Sequence, residues 1–442
     1  MSTHDSSCGC PRHDDSAAFM AHRLRRKGVT RREILRYTLA GAGLTALGPW
    51  VGKIPLATGA PQGKKIYVLI NMDGGCDTLN AVVPTALSNY TTRRPTIAVT
   101  GANVLAGGPA GPGLALHPSF ANLLTMWNQN DVAIVQRVGY PNANLSHFES
   151  QDIYSYGVRN SFGPLGIPVS GWMARFADLY APTPMGAVAL GAGRPTAFVG
   201  GSSNPLQVSG LSGFKFSTDS TFTNNDTLRK NVIKQILASA ATVGTPGGVR
   251  SALSQAHSLS DQIQTAFNSF SSVSTYTNKS IAQRLRDVAI LIQGGFETQL
   301  FYTVTGGFDT HSGQGNQTGY QAGLFKDIDD ALGAFAADMK AMGQWNNTVI
   351  CLFTEFGRRN YENGSAGTDH GGPFTMILVG GAVNPGAGNG PTLQNSDLAG
   401  EYPTYGIDFR DIHREVLNDH LGVNPTPVFP EAQPLNGNAA VI

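Results

Sequence analysis

The stretch TVICLFTEFGRRNYENGSAGTDHGG, Thr348–Gly372, changes character after Phe353. Thr348–Phe353 is a continuous apolar, β-rich run without alternation, which suits a parallel strand covered on both faces. Beyond it come a carboxylate (Glu355), two arginines (Arg358 and Arg359) and an Asp-His pair (Asp369 and His370), spaced by five glycines. Glycine lets backbone pass close to a ligand and takes positive φ where a chain turns sharply. Ligands of open α/β sheets bind outside the carboxyl ends of the strands. The stretch therefore predicts an interior strand that ends at a polar site.

Other segments repeat the pattern. In KKIYVLINMDGGCDTLNAVVP an apolar run, Ile66 to Ile70, leads to Asp73, Gly74 and Gly75. LHPSFANLLTMWNQN spaces Phe120, Leu123, Leu124 and Trp127 along one helix face, and DVAIVQRVGY follows as a strand, so strand, helix and strand read as a right-handed crossover unit. Later, Leu324, Phe325, Ile328, Leu332, Phe335 and Met339 mark a helix before Thr348–Phe353. FTMILVGG reads as another strand, and DFRDIHREVLNDHLG as a closing helix stopped by Gly422. From about Ser217 to Gln299 helix formers dominate, with NDTLRKNVIKQILASAATV and NKSIAQRLRDVAILIQGGF as amphipathic helices, read as an insertion that covers the sheet. The expected fold is α/β, a three-layer α/β/α sandwich with a mostly parallel central sheet.

Composition agrees with a large globular chain. Of 442 residues 41% are apolar and 14% charged, with 54 glycines and 25 prolines, too apolar for disorder and rich in turns. Net charge is +1, but nine of the 31 Lys and Arg fall in the first sixty residues, so the remainder is mildly acidic and offers no nucleic-acid surface. The basic stretch there precedes an apolar run, Tyr37 to about Val51, too short and too rich in Gly and Ala for a stable membrane span. Residues 1–60 are thus expected to be an export signal and 61–442 a single domain. Within the signal TRREILR, Thr30 to Arg36, resembles the twin-arginine pattern that sends folded proteins out of the cytoplasm through its translocation machinery. Cys8 and Cys10, near His4 and His13, fall in that segment. Cys76 and Cys351 are expected to be unpaired thiols.

Several groups suited to metal or ester chemistry follow predicted strands. They are Asp73; Ser146 and His147 in YPNANLSHFESQDIY; Asp309 and His311 in GGFDTHSGQ; Glu355; and Asp369 with His370. Carboxylates and imidazoles are divalent-metal ligands, and a hydroxyl at a helix start is a nucleophile placed where anions are favoured. Ser146 with Glu149 three residues on also reads as a capping box. Arg358 suits contact with a substrate anion, whereas Arg359 reads as a solvated charge. His117, His413 and His420 belong to no comparable cluster and read as structural.

INMDGGCDTLNAVVP, LHPSF, VGYPNANLSHFESQDIY, FDTHSGQ and FTEFGRRNYENGSAGTDHGG together resemble the uncharacterised DUF1501 family, grouped with the alkaline phosphatase and sulfatase superfamily. The resemblance implies an alkaline phosphatase-like fold, a nucleophile at Ser146 assisted by His147 and Arg358, and one or two divalent ions (Zn, Ca, Mg or Mn). The ion ligands would be Asp73, Asp309, His311, Glu355, Asp369 and His370. Phe356 stands where the superfamily carries a metal-binding His, leaving the second metal site short of a ligand, so that either a single metal is bound, or His147 or another side chain substitutes, or the site no longer binds metal. The implied function is exported, metal-dependent hydrolysis of small phosphate or sulfate esters. The alternatives are a non-catalytic exported protein binding a partner or an anionic cell-surface polymer, and a phosphomutase or phosphotransferase.

Overall fold

The computed structural model describes residues 63–100, 113–158, 170–191, 193, 195–203, 205–216, 223–238, 245–386, 390–430 and 440–442. The expected export signal, with its cysteines and arginines, lies outside them. Two compact units are distinguished, Met1–Trp50 with Ala241–Ala252, and Val51–Ala240 with Leu253–Ile442. The second holds the sheet.

The strands are β1 (Ile66–Met72), β2 (Val82–Val83), β3 (Ala115–Leu116), β4 (Val132–Gly139), β5 (Ala187–Leu190), β6 (Leu206–Val208), β7 (Leu300–Thr305), β8 (Thr348–Phe353), β9 (Phe374–Val379) and β10 (Ile407–Asp408). Eight of them form one sheet in the order β10-β4-β9-β8-β1-β7-β5-β6, and β2 pairs with β3. Only β9 runs antiparallel, against both β4 and β8; every other pair in the large sheet is parallel. The expected mostly parallel sheet is observed. β1 and β4, joined in sequence by a helix, are not neighbours: β8 and β9 lie between them.

The helices are α1 (Thr78–Ala81), α2 (Ser88–Thr92), α3 (Ala121–Asn128), α4 (His147–Tyr156), α5 (Trp172–Tyr180), α6 (Thr223–Ala238), α7 (Thr245–Ser269), α8 (Ser280–Gln293), α9 (Tyr320–Ala341) and α10 (Phe409–Glu415), the last continued by a π turn, Val416–His420. The strand pleat explains why β1 is buried throughout. Ile66, Val68, Ile70 and Met72 join one apolar cluster with α3, α8 and α9, while Tyr67 and Leu69 join a second cluster with α5 and α10. Successive side chains point to opposite faces, so a strand with helices on both sides is apolar at every position. This is the expected three-layer arrangement.

Cys76 and Cys351 are unpaired and buried. His413 and His420 are buried among core groups, as expected. The Tyr67 hydroxyl and His413 Nδ1 share a hydrogen bond of 2.7 Å, and burial pushes the His413 and His420 imidazoles down to about 3 and about 4. His117 packs against Phe120 and Phe325. Among the described residues, no helix is long and apolar enough to cross a membrane.

Ile70 is fully buried at the centre of the sheet. Ile70→Ala is expected to cost about 2–5 kcal/mol, measured by urea denaturation. A loss under about 1 kcal/mol contradicts the placement of β1 between two helical layers.

Candidate metal centre

The parallel strands β1, β7, β8 and β4 end at one rim, and antiparallel β9 begins there. That topology gathers residues scattered through the chain. Asp73 follows β1, Asp309 and His311 follow β7, Glu355 follows β8, Ser146 and His147 open α4 after β4, and Asp369 and His370 precede β9.

Three histidines are fixed by one device. His147 Nδ1 donates to Glu355 Oε1 at 2.7 Å, His370 Nδ1 to the Leu145 carbonyl at 2.7 Å, and His311 Nδ1 to Asp369 Oδ1 at 3.3 Å. An imidazole that donates from Nδ1 presents a lone pair at Nε2. All three Nε2 atoms face Asp309 Oδ1, at 3.6 Å for His147, 3.0 Å for His311 and 3.3 Å for His370. His311 Nε2 and His370 Nε2 are 3.0 Å apart. The ligating atoms of His147, Asp309 and His370 all lie within 4.8 Å of one another. His147 Nε2 is buried without a hydrogen-bond partner.

Electrostatics follow from this packing. Burial alone would lower the His147 pKa, but the Asp309 and Glu355 carboxylates outweigh it and raise the value to about 9. Burial would likewise raise the Asp309 carboxyl, yet three imidazoles and Arg358 outweigh that cost and hold it far below the usual carboxylate range. Glu355, fully enclosed, is also held low, His147 outweighing its desolvation.

The sequence-derived candidates divide into distinct places. Asp309, His370 and His311 converge as expected of ligands. His147, expected to be catalytic or to substitute for the missing ligand, stands in the candidate ligand group. Glu355 and Asp369, expected to be ligands, orient His147 and His311 through their Nδ1 atoms. Asp73 is buried, and Gln151 Nε2 donates to its Oδ1. Arg358 requires a correction. Its guanidinium is buried and donates to the carbonyls of Gly74, Gly75, Thr368 and Phe308, and to Asp309 Oδ1 at 2.6 Å. It fastens three loops together, leaving no open face for a substrate anion. Arg359 is half-buried, reaching Tyr361 and Glu401. The capping box does not form: Ser146 occupies the N-cap position of α4, but its hydroxyl makes no cap hydrogen bond. That leaves the hydroxyl uncommitted beside His147 and Leu145, both of which contact the cluster.

Phe356, expected to stand in place of a metal-binding His, lies against the cluster. Its ring packs 4.7 Å from that of His147 and 4.8 Å from that of His370, and it is 2% exposed. Gly75, at φ 66°, makes this possible, since a Cβ there would lie 2.3 Å from the phenyl ring. Gly74, at φ 116°, passes equally close to the Asp309 amide and donates its own N–H to Glu355 Oε1 at 3.0 Å.

A buried polar layer below the site was not foreseen. Arg94 and Asp77 form a fully buried ion pair at 2.6 Å. Gln314 donates to Asp77 at 2.6 Å and accepts from the hydroxyls of Thr310 and Thr368. It ties the loop carrying Asp309 and His311 to the one carrying Asp369 and His370. No motif announces such a network, because each member is an ordinary loop residue in sequence.

Comparison with known proteins gives one family match: the model described as "Protein of unknown function (DUF1501)" matches residues 169–436. The sequence matches no curated protein. Among solved structures, the PsFucS1 sulfatase from Pseudoalteromonas sp. is similar at 12% identity and TM-score 0.37, covering 90% of this chain and 72% of that one. A protein in the alkaline phosphatase superfamily from Vibrio parahaemolyticus is similar at 11% identity and TM-score 0.33, covering 91% and 78%. Alkaline phosphatase from the Antarctic bacterium TAB5 is similar at 9% identity and TM-score 0.30, covering 73% and 94%. At such scores the site must be judged on its own side chains.

The pH response of the metal-free protein is a direct consequence of the raised His147 pKa. The stabilisation from charged His147 is fully present below pH 6.5 and is lost as pH rises through about 9. The Tm of metal-stripped protein is expected to fall across that window, and His147→Gln to flatten the fall. An unsubstituted protein with a level profile there contradicts the His147–Glu355 geometry.

Proposed function

The chain belongs to the DUF1501 family, and from that premise and the geometry above we propose a metal-dependent hydrolase of phosphate or sulfate esters with one cation in its site. The observation that carries the reading is the convergence of three Nε2 atoms on Asp309 Oδ1. Ligands about 2.0 Å from a tetrahedrally held ion sit roughly 3.3 Å apart, and the Asp309–histidine separations are 3.0–3.6 Å. His147, Asp309 and His370 would hold the ion, with His311 as a fourth ligand. Three imidazoles and one carboxylate suit a zinc-like transition ion better than Mg or Ca, which prefer oxygen. Orienting carboxylates behind ligating histidines are the usual support of such a centre, and Glu355 and Asp369 supply them.

Bound there, a divalent ion would neutralise ester oxygens and make a nearby hydroxyl easier to deprotonate. The protein's own groups do the rest. Ser146 attacks the phosphorus or sulfur from the start of α4, where helix amides favour negative charge. Arg358, buried against Asp309, keeps that carboxylate ionised and adds positive potential. Phe356, packed beside the rings of both His147 and His370, offers no donor atom to a second ion.

The same observation favours a second reading. Because Phe356 removes half of a two-metal centre, a non-catalytic protein that binds anionic ligands at this rim is the main rival. A phosphotransferase would use the same groups with an acceptor other than water.

Export remains part of the proposal, supported by the twin arginines Arg31 and Arg32 ahead of a short apolar run. Replacing both by lysine should retain the protein in the cytoplasm, as fractionation would show; unchanged export would rule out that route.

Metal analysis should find about one equivalent per chain, lost in Asp309→Ala and His370→Ala. Ser146→Ala should keep the metal and lose roughly a thousandfold or more of its turnover of chromogenic phosphate or sulfate esters. Two equivalents would contradict the role of Phe356, and activity surviving Ser146→Ala would remove that residue as nucleophile. Less than about a tenth of an equivalent would favour the binding protein.

A further inference from the structure

An open cleft of about 440 Å³ adjoins the cluster, lined by Gly307, Asp309, Thr310, Ser312, Gly313 and Tyr320. Asp309 belongs to both, which places the cleft directly beside any group held at the cluster. The volume lies in the lower part of the ~300–1,000 Å³ range of small-molecule sites.

Its lining is chemically selective. Tyr320, the first residue of α9, is 57% exposed. Its hydroxyl lies over Gly307, where an added Cβ would come within 2.7 Å of it. Ser312 is exposed, and its hydroxyl is bonded to no described residue. The Thr310 hydroxyl is spent on Gln314. No lysine, arginine or aliphatic side chain lines the space. A polyphosphate chain would find no cation there beyond the cluster, and an acyl chain would find no apolar wall. What remains is an aromatic face, two hydroxyls and bare glycine backbone, which matches a ring that carries hydroxyls around its edge and C–H groups on its face.

We propose that this cleft is the leaving-group subsite and that it takes a sugar, making the substrate a phosphate or sulfate monoester of a carbohydrate. The proposal rests on the ester-hydrolase reading for the anion's position, and it adds Tyr320 and Ser312 as specificity-determining residues. In the reaction Ser146 Oγ bonds to phosphorus or sulfur and gives up its hydroxyl proton to water; the bond to the sugar oxygen breaks, and that oxygen leaves with its electron pair and takes up, by way of water, the proton that the serine released. Water then hydrolyses the serine ester.

Calorimetry on the full, metal-loaded protein tests it, with glucose 6-phosphate and galactose 6-sulfate set against inorganic phosphate and sulfate, and phenyl phosphate as the aromatic comparison. The sugar esters should bind about tenfold or more tighter than the matching inorganic anions. Tyr320→Ala should bring that ratio close to one, and Ser312→Ala should reduce it. Both side chains are exposed, so neither change threatens folding, and near-native circular dichroism would confirm it. A ratio near one in the unsubstituted protein, a ratio that survives Tyr320→Ala, or tighter binding of phenyl phosphate than of either sugar ester would overturn the proposal. The two readings fail separately. Ester turnover without a sugar preference removes the subsite alone, whereas a Tyr320-dependent preference without turnover keeps the subsite and removes the hydrolase.

Discussion

Everything at the rim depends on three Nδ1–H donors having been committed elsewhere. Glu355, the Leu145 carbonyl and Asp369 each accept from one imidazole, and each bond turns an Nε2 lone pair inward. Without these acceptors the rings could rotate or change tautomer, and Asp309 would face a disordered set of donors. The arrangement has an electrostatic cost in the absence of a cation: His147 is driven to retain a proton, and His311 and His370 set nitrogen against nitrogen at 3.0 Å. A positive ion relieves both conditions, which is the physical basis for reading the cluster as a metal centre.

The fold supplies the acceptors by topology. β1, β7 and β8 lie side by side at the centre of the sheet, so the loops leaving them must share one rim. Arg358 then locks these loops by donating to the backbone of the β1 and β7 loops and to Asp309. Beneath it, the buried Asp77 Oδ2 accepts from both Arg94 and Gln314. A buried network of this kind is costly when any member is missing. Its consequence is positional: it holds the Asp309–His311 and Asp369–His370 loops at a fixed separation.

The central strands were legible because an apolar run without alternation, too short for a helix, fits only a strand buried on both faces, and Ile66–Met72, Thr348–Phe353 and Phe374–Val379 are all of that kind. The rim residues were legible because each follows or precedes such a run. Finer roles were not. The carboxylates Glu355 and Asp369 look like ligands in sequence and turn out to stand behind histidines, a distinction of about one side-chain length that spacing cannot encode. Asp73 follows its strand as read, and its contact with Gln151 is one more pairing that the sequence does not record. Arg358 looked available to a substrate because sequence carries no record of the carbonyls that surround it. The short strands Ala187–Leu190 and Leu206–Val208, the last two on one side of the sheet, and the antiparallel direction of β9 were equally hidden, as both depend on pairing between distant segments.

The most direct measurement is anomalous diffraction from crystals of zinc-loaded protein. A single zinc peak within about 2.0–2.2 Å of His147 Nε2, Asp309 Oδ1 and His370 Nε2 is the predicted result. A peak bounded by other residues, a second peak beside Phe356, or an empty cluster in zinc-saturated crystals would contradict it.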